Sequence, residues 1–182
     1  MNPNYSTIKT PDAPKKSEAI KKATALKPPI DVAKELAVTL ASTYAIYLKT
    51  QNYHWNVTGP LFGTLHRVFD EQYHELAESI DTIAERIRAL GAFAPATFKQ
   101  LEDLSYIDED HDIPAAAESM IQNLAADHEK IAKHVLDSIA VCNNKNDPAS
   151  ADLLVKRIRS HEKYAWMLRS FLKNELTTRT SH

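Results

Sequence analysis

Glycine is nearly missing from this chain, with three among 182 residues. So little glycine cannot supply the tight turns of a many-stranded sheet. The long stretches between are rich in Ala, Leu, Ile, Glu and Lys, which favour helix. Cysteine is rarer still. Cys142 stands alone, so an intrachain disulfide is excluded, and a reducing, cytoplasmic compartment is expected. No run approaches the ~18 apolar residues of a membrane span, and the polar N-terminal residues predict no secretory leader. Charge of one sign is also missing, since the net value is only −2.

That small net charge hides a split. Residues 1–27 hold Lys9, Lys15, Lys16, Lys21, Lys22 and Lys27 against Asp12 and Glu18. This stretch is therefore +4 and the remainder −6. Residues 101–118 carry seven acids and no Lys or Arg. A basic arm on an acidic body separates two roles. The six lysines are candidate contacts for the phosphates of double-stranded DNA, bound without regard to sequence; the alternative is an arm that keeps the particle soluble.

Prolines at 3, 11, 14, 28 and 29, with little apolar mass, set residues 1–29 apart as a flexible lysine-rich tail. Residues 30–176 then read as an all-α body of four long helices, with 177–182 as a short C-terminal tail. The first helix is expected from Asp31, as N-cap, to about Val57, stopped by Thr58-Gly59-Pro60. The second runs from Leu61 to Leu90 and stops at Gly91. The third begins with Pro114 in its first turn and ends near Val141, broken by residues 143–148. The fourth spans about Ala149 to Leu176. Two short links predict two antiparallel hairpins, and the long link, about residues 91–113, is expected to hold a short helix around Thr97–Asp103. One long crossover in the middle is the ferritin-like arrangement of a four-helix bundle.

The second helix contains an unusual order: His66 and Asp70 four apart, then Asp81 and Glu85 four apart, placed symmetrically about a point between Glu75 and Leu76. With His66 at 0° and about 100° per residue, Asp70 falls near 40°, Asp81 near 60° and Glu85 near 100°. The apolar set Phe69, Leu76, Ile80, Ile83, Ile87 and Leu90 clusters roughly 125° away. One face packs and the other carries ligand-type side chains. Asp70 and Asp81 lie roughly 16 Å apart along the axis, whereas metal–ligand bonds are about 2 Å. The two pairs cannot share an ion within one chain. Across a two-fold axis, a second antiparallel copy brings His66 and Asp70 of one chain opposite Asp81 and Glu85 of the other. His54, at the end of the first helix, is expected to come beside His66. Two imidazoles and three carboxylates without thiolate suit iron or another first-row metal. The competing reading is an ordinary solvated helix face. Trp55, beside His54, is a candidate electron donor or an interface contact.

The stretch QNYHWNVTGPLFGTLHRVFDEQYHELAESIDTIAERIRALG (51–91) resembles the Dps family, the mini-ferritins also called DNA-binding proteins from starved cells. HWNV-x-GP, H-x3-D and D-x3-E are all present, and HEKYAWMLRSFL (161–172) is similar to the family's last helix. The resemblance implies a ferritin-like bundle in a hollow twelve-subunit shell, with a ferroxidase centre at the two-fold interface formed by His54, His66, Asp70, Asp81 and Glu85. It implies oxidation of Fe(II), preferably by hydrogen peroxide, and storage of Fe(III), which limits oxidative damage to DNA. It also implies acidic pores near the start of the fourth helix, for which Asp147 and Asp152 are the candidates. A protein that mainly binds and compacts DNA through its tail is the alternative function, and a purely structural helical oligomer is a third.

Overall fold

The structure, a computed structural model, describes residues 30–111 and 115–172. The lysine tail, the first-turn position of Pro114 and the C-terminal tail lie outside the described residues. Five helices follow in order: α1 Ile30–Asn56, α2 Phe62–Ala89, α3 Phe98–Leu104, α4 Ala117–Asn144 and α5 Pro148–Leu172. No strand occurs among the described residues. Helices α1 and α2 form one hairpin and α4 and α5 the other. The hairpins meet mainly through α1 and α4, and α3 lies on α1.

Local chemistry fixes the ends. Helix α2 closes on Gly91 at φ +82°. The Gly91 N–H donates to Arg88 O at 2.9 Å and the Ala92 N–H to Ile87 O at 3.3 Å, the paired bonds of a Schellman stop. Helix α3 opens with a capping box between Thr97 and Gln100. Helix α4 runs one turn beyond the expected end at Val141. Asn143 and Asn144, read as breakers, stay helical. The stop comes instead at Asn146, at φ +55°, with the Asp147 N–H donating to Cys142 O at 3.0 Å. Asparagine tolerates the left-handed region better than other side-chain-bearing residues, so it does here what Gly91 does for α2. Asp31, expected as an N-cap, lies inside the first turn of α1. There it pairs with Lys145 at 2.8 Å, and that bond holds its carboxyl below the usual range.

The core stripe of α2 is buried throughout: Phe69, Leu76, Ile80, Ile83, Ile87 and Leu90. It packs with Leu36, Leu40 and Ile46 of α1, Leu124, Ile131 and Val135 of α4, and Leu154 and Leu168 of α5. Cys142 is buried, and burial pushes its thiol up to about 11, so it is an inert apolar contact.

Candidate metal centre

The turn between α1 and α2 is short, and it brings the end of one helix against the start of the other. His54 and His66 stack with ring centroids 3.8 Å apart and planes at 19°. The His54 Nδ1–H donates to the carbonyl of His66 at 2.7 Å, and the His66 Nδ1–H donates to the carbonyl of His54 at 2.8 Å. A carbonyl only accepts, so both Nδ1 atoms carry a proton, and in a neutral ring this makes Nε2 the lone-pair nitrogen. This reciprocal lock is the backbone support that ligating imidazoles commonly have. Asp70, one turn beyond His66, places Oδ1 at 3.8 Å from His54 Nε2. His54 Nε2 and the Asp70 carboxylate therefore face each other at one end of α2, with His66 stacked on His54.

Asp81 and Glu85 are exposed on α2, on the side away from its buried stripe. They form a second half-set farther along the same helix. Among the described residues no group of three or more His, Cys, Asp or Glu side chains is gathered closely enough to hold an ion within the chain. The five candidates thus stand as three at one end and two at the other. Large apolar side chains surround the His54–His66 end in the open: Trp55 is 67% exposed, with Leu61 and Phe62 also exposed. An apolar rim beside the His54–His66 pair suits a contact face.

Tyr73 packs against His54, a neighbour that spacing within one helix does not reveal. It lies seven residues beyond His66, close to the same helical phase. Its ring meets His54 at 5.2 Å and 64° and stacks on His74 at 4.2 Å. Burial, then the nearby Asp70 carboxylate, raises its pKa above the ordinary phenol value. His74 donates from Nδ1 to the Asp70 carbonyl at 2.9 Å, leaving Nε2 outward.

The pore candidates behave differently from each other. Asp147 is buried and caps α5: the Ser150 N–H donates to its Oδ1 at 3.0 Å and the Ser150 hydroxyl to Oδ2 at 2.7 Å. Arg86 pairs with it at 2.7 Å. Burial alone would raise its pKa, but the Ser150 and Arg86 bonds hold it low. Asp152 is exposed and pairs with Lys156 at 2.8 Å.

A second histidine pair lies in the bundle interior. His128 of α4 and His161 of α5 are both fully buried, with their Nδ1 atoms 2.8 Å apart. His128 lies among the buried residues of α4 and is a satisfied core histidine, with His161 and Gln72 as partners. His161 was not connected with it, yet it stands on the α5 stripe with Leu154, Ile158, Ala165 and Leu168, which was the available signal. Below them, Arg157 forms a two-pronged ion pair with Glu75.

Residues 33–176 match the family model for the ferritin-like domain. The chain is 38% identical over 133 residues to DNA protection during starvation protein 2 of Bacillus anthracis, covering 73% of this chain and 90% of that protein. Its fold superposes on Dps from Staphylococcus aureus with a TM-score of 0.77 at 34% identity, covering 79% of this chain and 96% of the other. It likewise matches the Dps protein from Vibrio cholerae O1, a member of a broad superfamily of ferritin-like diiron-carboxylate proteins. That match has a TM-score of 0.76 at 31% identity and covers 80% and 91% of the two chains.

Proposed function

Since the chain belongs to the Dps family of ferritin-like proteins, we propose that it is an iron-storage ferroxidase acting at sites shared between two subunits. The observation that carries this is the His54–His66 lock with Asp70 beside it, set on the same helix as an exposed Asp81/Glu85 half-set in mirrored order. In an isologous pair each subunit donates three ligands to one site and two to the other.

Fe(II) is the substrate. The two Nε2 lone pairs and the carboxylates receive it, and the anionic oxygens favour the higher charge of Fe(III). Hydrogen peroxide is the oxidant of this reading: two Fe(II) ions give one electron each, the O–O bond breaks, and two protons from solvent complete two waters. The reading includes a twelve-subunit shell whose cavity stores the Fe(III). Iron entry falls to Asp152, which is exposed, rather than to Asp147, which is spent on its cap and on Arg86. The reading also includes a cytoplasmic location and protection of DNA from oxidative damage. Among the described residues, no helix is long and apolar enough to cross a membrane.

The +4 tail favours a second activity, sequence-independent DNA binding with nucleoid association. One such arm is a weak phosphate ligand, but many on one particle bind together.

Complementation tests the shared site. Asp81→Ala/Glu85→Ala and His66→Ala/Asp70→Ala proteins should each stay folded and fail to oxidise Fe(II), because these side chains lie off the core stripe. After subunit exchange, random pairing makes half the dimers mixed, each with one intact site. About a quarter of the wild-type sites should return. No recovery at all rejects a site built by two subunits.

A further inference from the structure

Beside the proposed centre the aromatic rings form a line. Tyr73 touches His54 at 5.2 Å. Tyr47 lies 6.1 Å from Tyr73, and Tyr44 lies 6.3 Å from Tyr47. All three gaps fall within the 4.5–7 Å range of rings in contact. Tyr73 also stands three residues beyond Asp70 on α2, so the end of the line nearest the site meets His54 with its ring and lies one turn from a second candidate ligand. Trp55, the residue that sequence position suggests as an electron source, is 67% exposed, and it has no place in the line. Tyr47 comes from α1 and Tyr73 from α2, so the line exists only in the folded hairpin.

We propose that Tyr73 is the electron donor to the iron site, with Tyr47 and Tyr44 behind it as the path along which the electron deficit moves away. The proposal rests on the ferroxidase reading. Its occasion is a site holding a single Fe(II) when hydrogen peroxide arrives. Peroxide accepts two electrons and one Fe(II) supplies one. Without a second donor, the remaining oxidising equivalent leaves as hydroxyl radical. With Tyr73 as donor, the O–O bond breaks and both oxygens leave as water. The four protons are the two of peroxide, the Tyr73 hydroxyl proton and one from solvent. Fe(III) and a tyrosyl radical remain. Exchange with Tyr47 and then Tyr44 draws the deficit from the ligands. A later Fe(II), with one proton from solvent, restores the tyrosine and becomes Fe(III).

The test is freeze-quenched electron paramagnetic resonance on the assembled protein. Fe(II) is supplied below one ion per site, followed by hydrogen peroxide, with and without ring-deuterated tyrosine. Fe(III) formation is read in parallel by absorbance. Wild type should give a tyrosyl signal that narrows on deuteration. Tyr73→Phe keeps the ring and loses only the hydroxyl; it should lose the signal and release hydroxyl radical to a spin trap. Tyr47→Phe should form the radical but confine it to Tyr73, so the spectrum reduces to one ring geometry. Trp55→Phe should leave the signal intact. The donor assignment is overturned if wild type forms Fe(III) with no tyrosyl signal, if Tyr73→Phe retains it, or if Trp55→Phe abolishes it. Failure of wild type to form any Fe(III) at the site overturns the ferroxidase reading instead, and the donor falls with it.

Discussion

Acid should unfold this protein through two histidines that take no part in the proposed iron chemistry. His128 and His161 are fully buried. Burial first, and then the charge of Arg157, pushes His128 down to about 3. Burial, the neighbouring His128 and Arg157 hold His161 well below the ordinary histidine value. In the unfolded chain both titrate at about 6.5. Between the two values the unfolded state binds more protons than the folded one. The stability that neutral burial preserves is complete above pH 6.5 and declines as pH falls below it. Each histidine contributes a slope of ~1.4 kcal/mol per pH unit, and the two together ~2.7 kcal/mol per unit. From pH 6.5 to 5 the loss is about 3 kcal/mol per subunit, since at pH 6.5 each unfolded histidine is still half neutral, a large part of ordinary domain stability. Denaturant unfolding measured across pH 5 to 8 reads this directly. A His128→Gln/His161→Gln protein, less stable at neutral pH, should show a pH profile flatter by the same slope. His54, His66, His74, His111, His134 and His182 remain in both proteins and cancel. If the two lose stability in parallel below pH 6.5, the buried pair is not the acid-sensitive element.

Other substitutions separate structure from chemistry. Asp147→Ala removes the cap of α5 and leaves Arg86 without its partner; it should cost about 2 kcal/mol, read as a lowered unfolding midpoint. Asp152→Asn should leave that midpoint nearly unchanged and slow Fe(II) uptake into the shell, because an entry acid works by attracting cations; equal uptake rates reject Asp152 as an entry residue. Gly91→Ala, at φ +82°, should cost about 1 kcal/mol with no change in iron oxidation. Removal of residues 1–27 should abolish plasmid retardation at low salt and spare iron oxidation. A truncated shell that still retards DNA rejects the tail as the binding element.

The bundle was legible because its signal is repeated many times. Every apolar position assigned to the α2 stripe is buried, and the short crossover helix appears within one residue of its expected start. Single-residue decisions were harder to read. Asn143 and Asn144 look like breakers, but a Schellman stop needs only one left-handed residue, and Asn146 supplies it. Asp147-Pro148 with Ser150 is an N-cap followed by a first-turn proline. The acid drew attention as a pore candidate, although the same three residues spelled a cap. That Asp81 and Glu85 lie off the buried stripe was legible for the same reason as the core, since both follow the helical repeat. Tyr73 and His161 were missed because their partners come from other helices. Which rings meet across a hairpin depends on the crossing of α1 on α2, and no spacing within one helix encodes it.

The placement of the two histidine pairs explains why one protein can keep both. His128 and His161 sit where water is excluded. There each neutral ring needs a partner, and removing one strands the other. Their cost is charged to folding, so they cannot be altered without altering the bundle. His54 and His66 satisfy Nδ1 on each other's backbone and keep Nε2 free. The support comes from the α1–α2 turn, and the reactive atoms are left over. Asp81 and Glu85 need no support from the core at all. The face of α2 that carries His66, Asp70, Asp81 and Glu85 is thus separate from its packing face, because the two lie well over a right angle apart. A helix built this way carries Asp81 and Glu85 on an exposed face without drawing on the apolar face that packs.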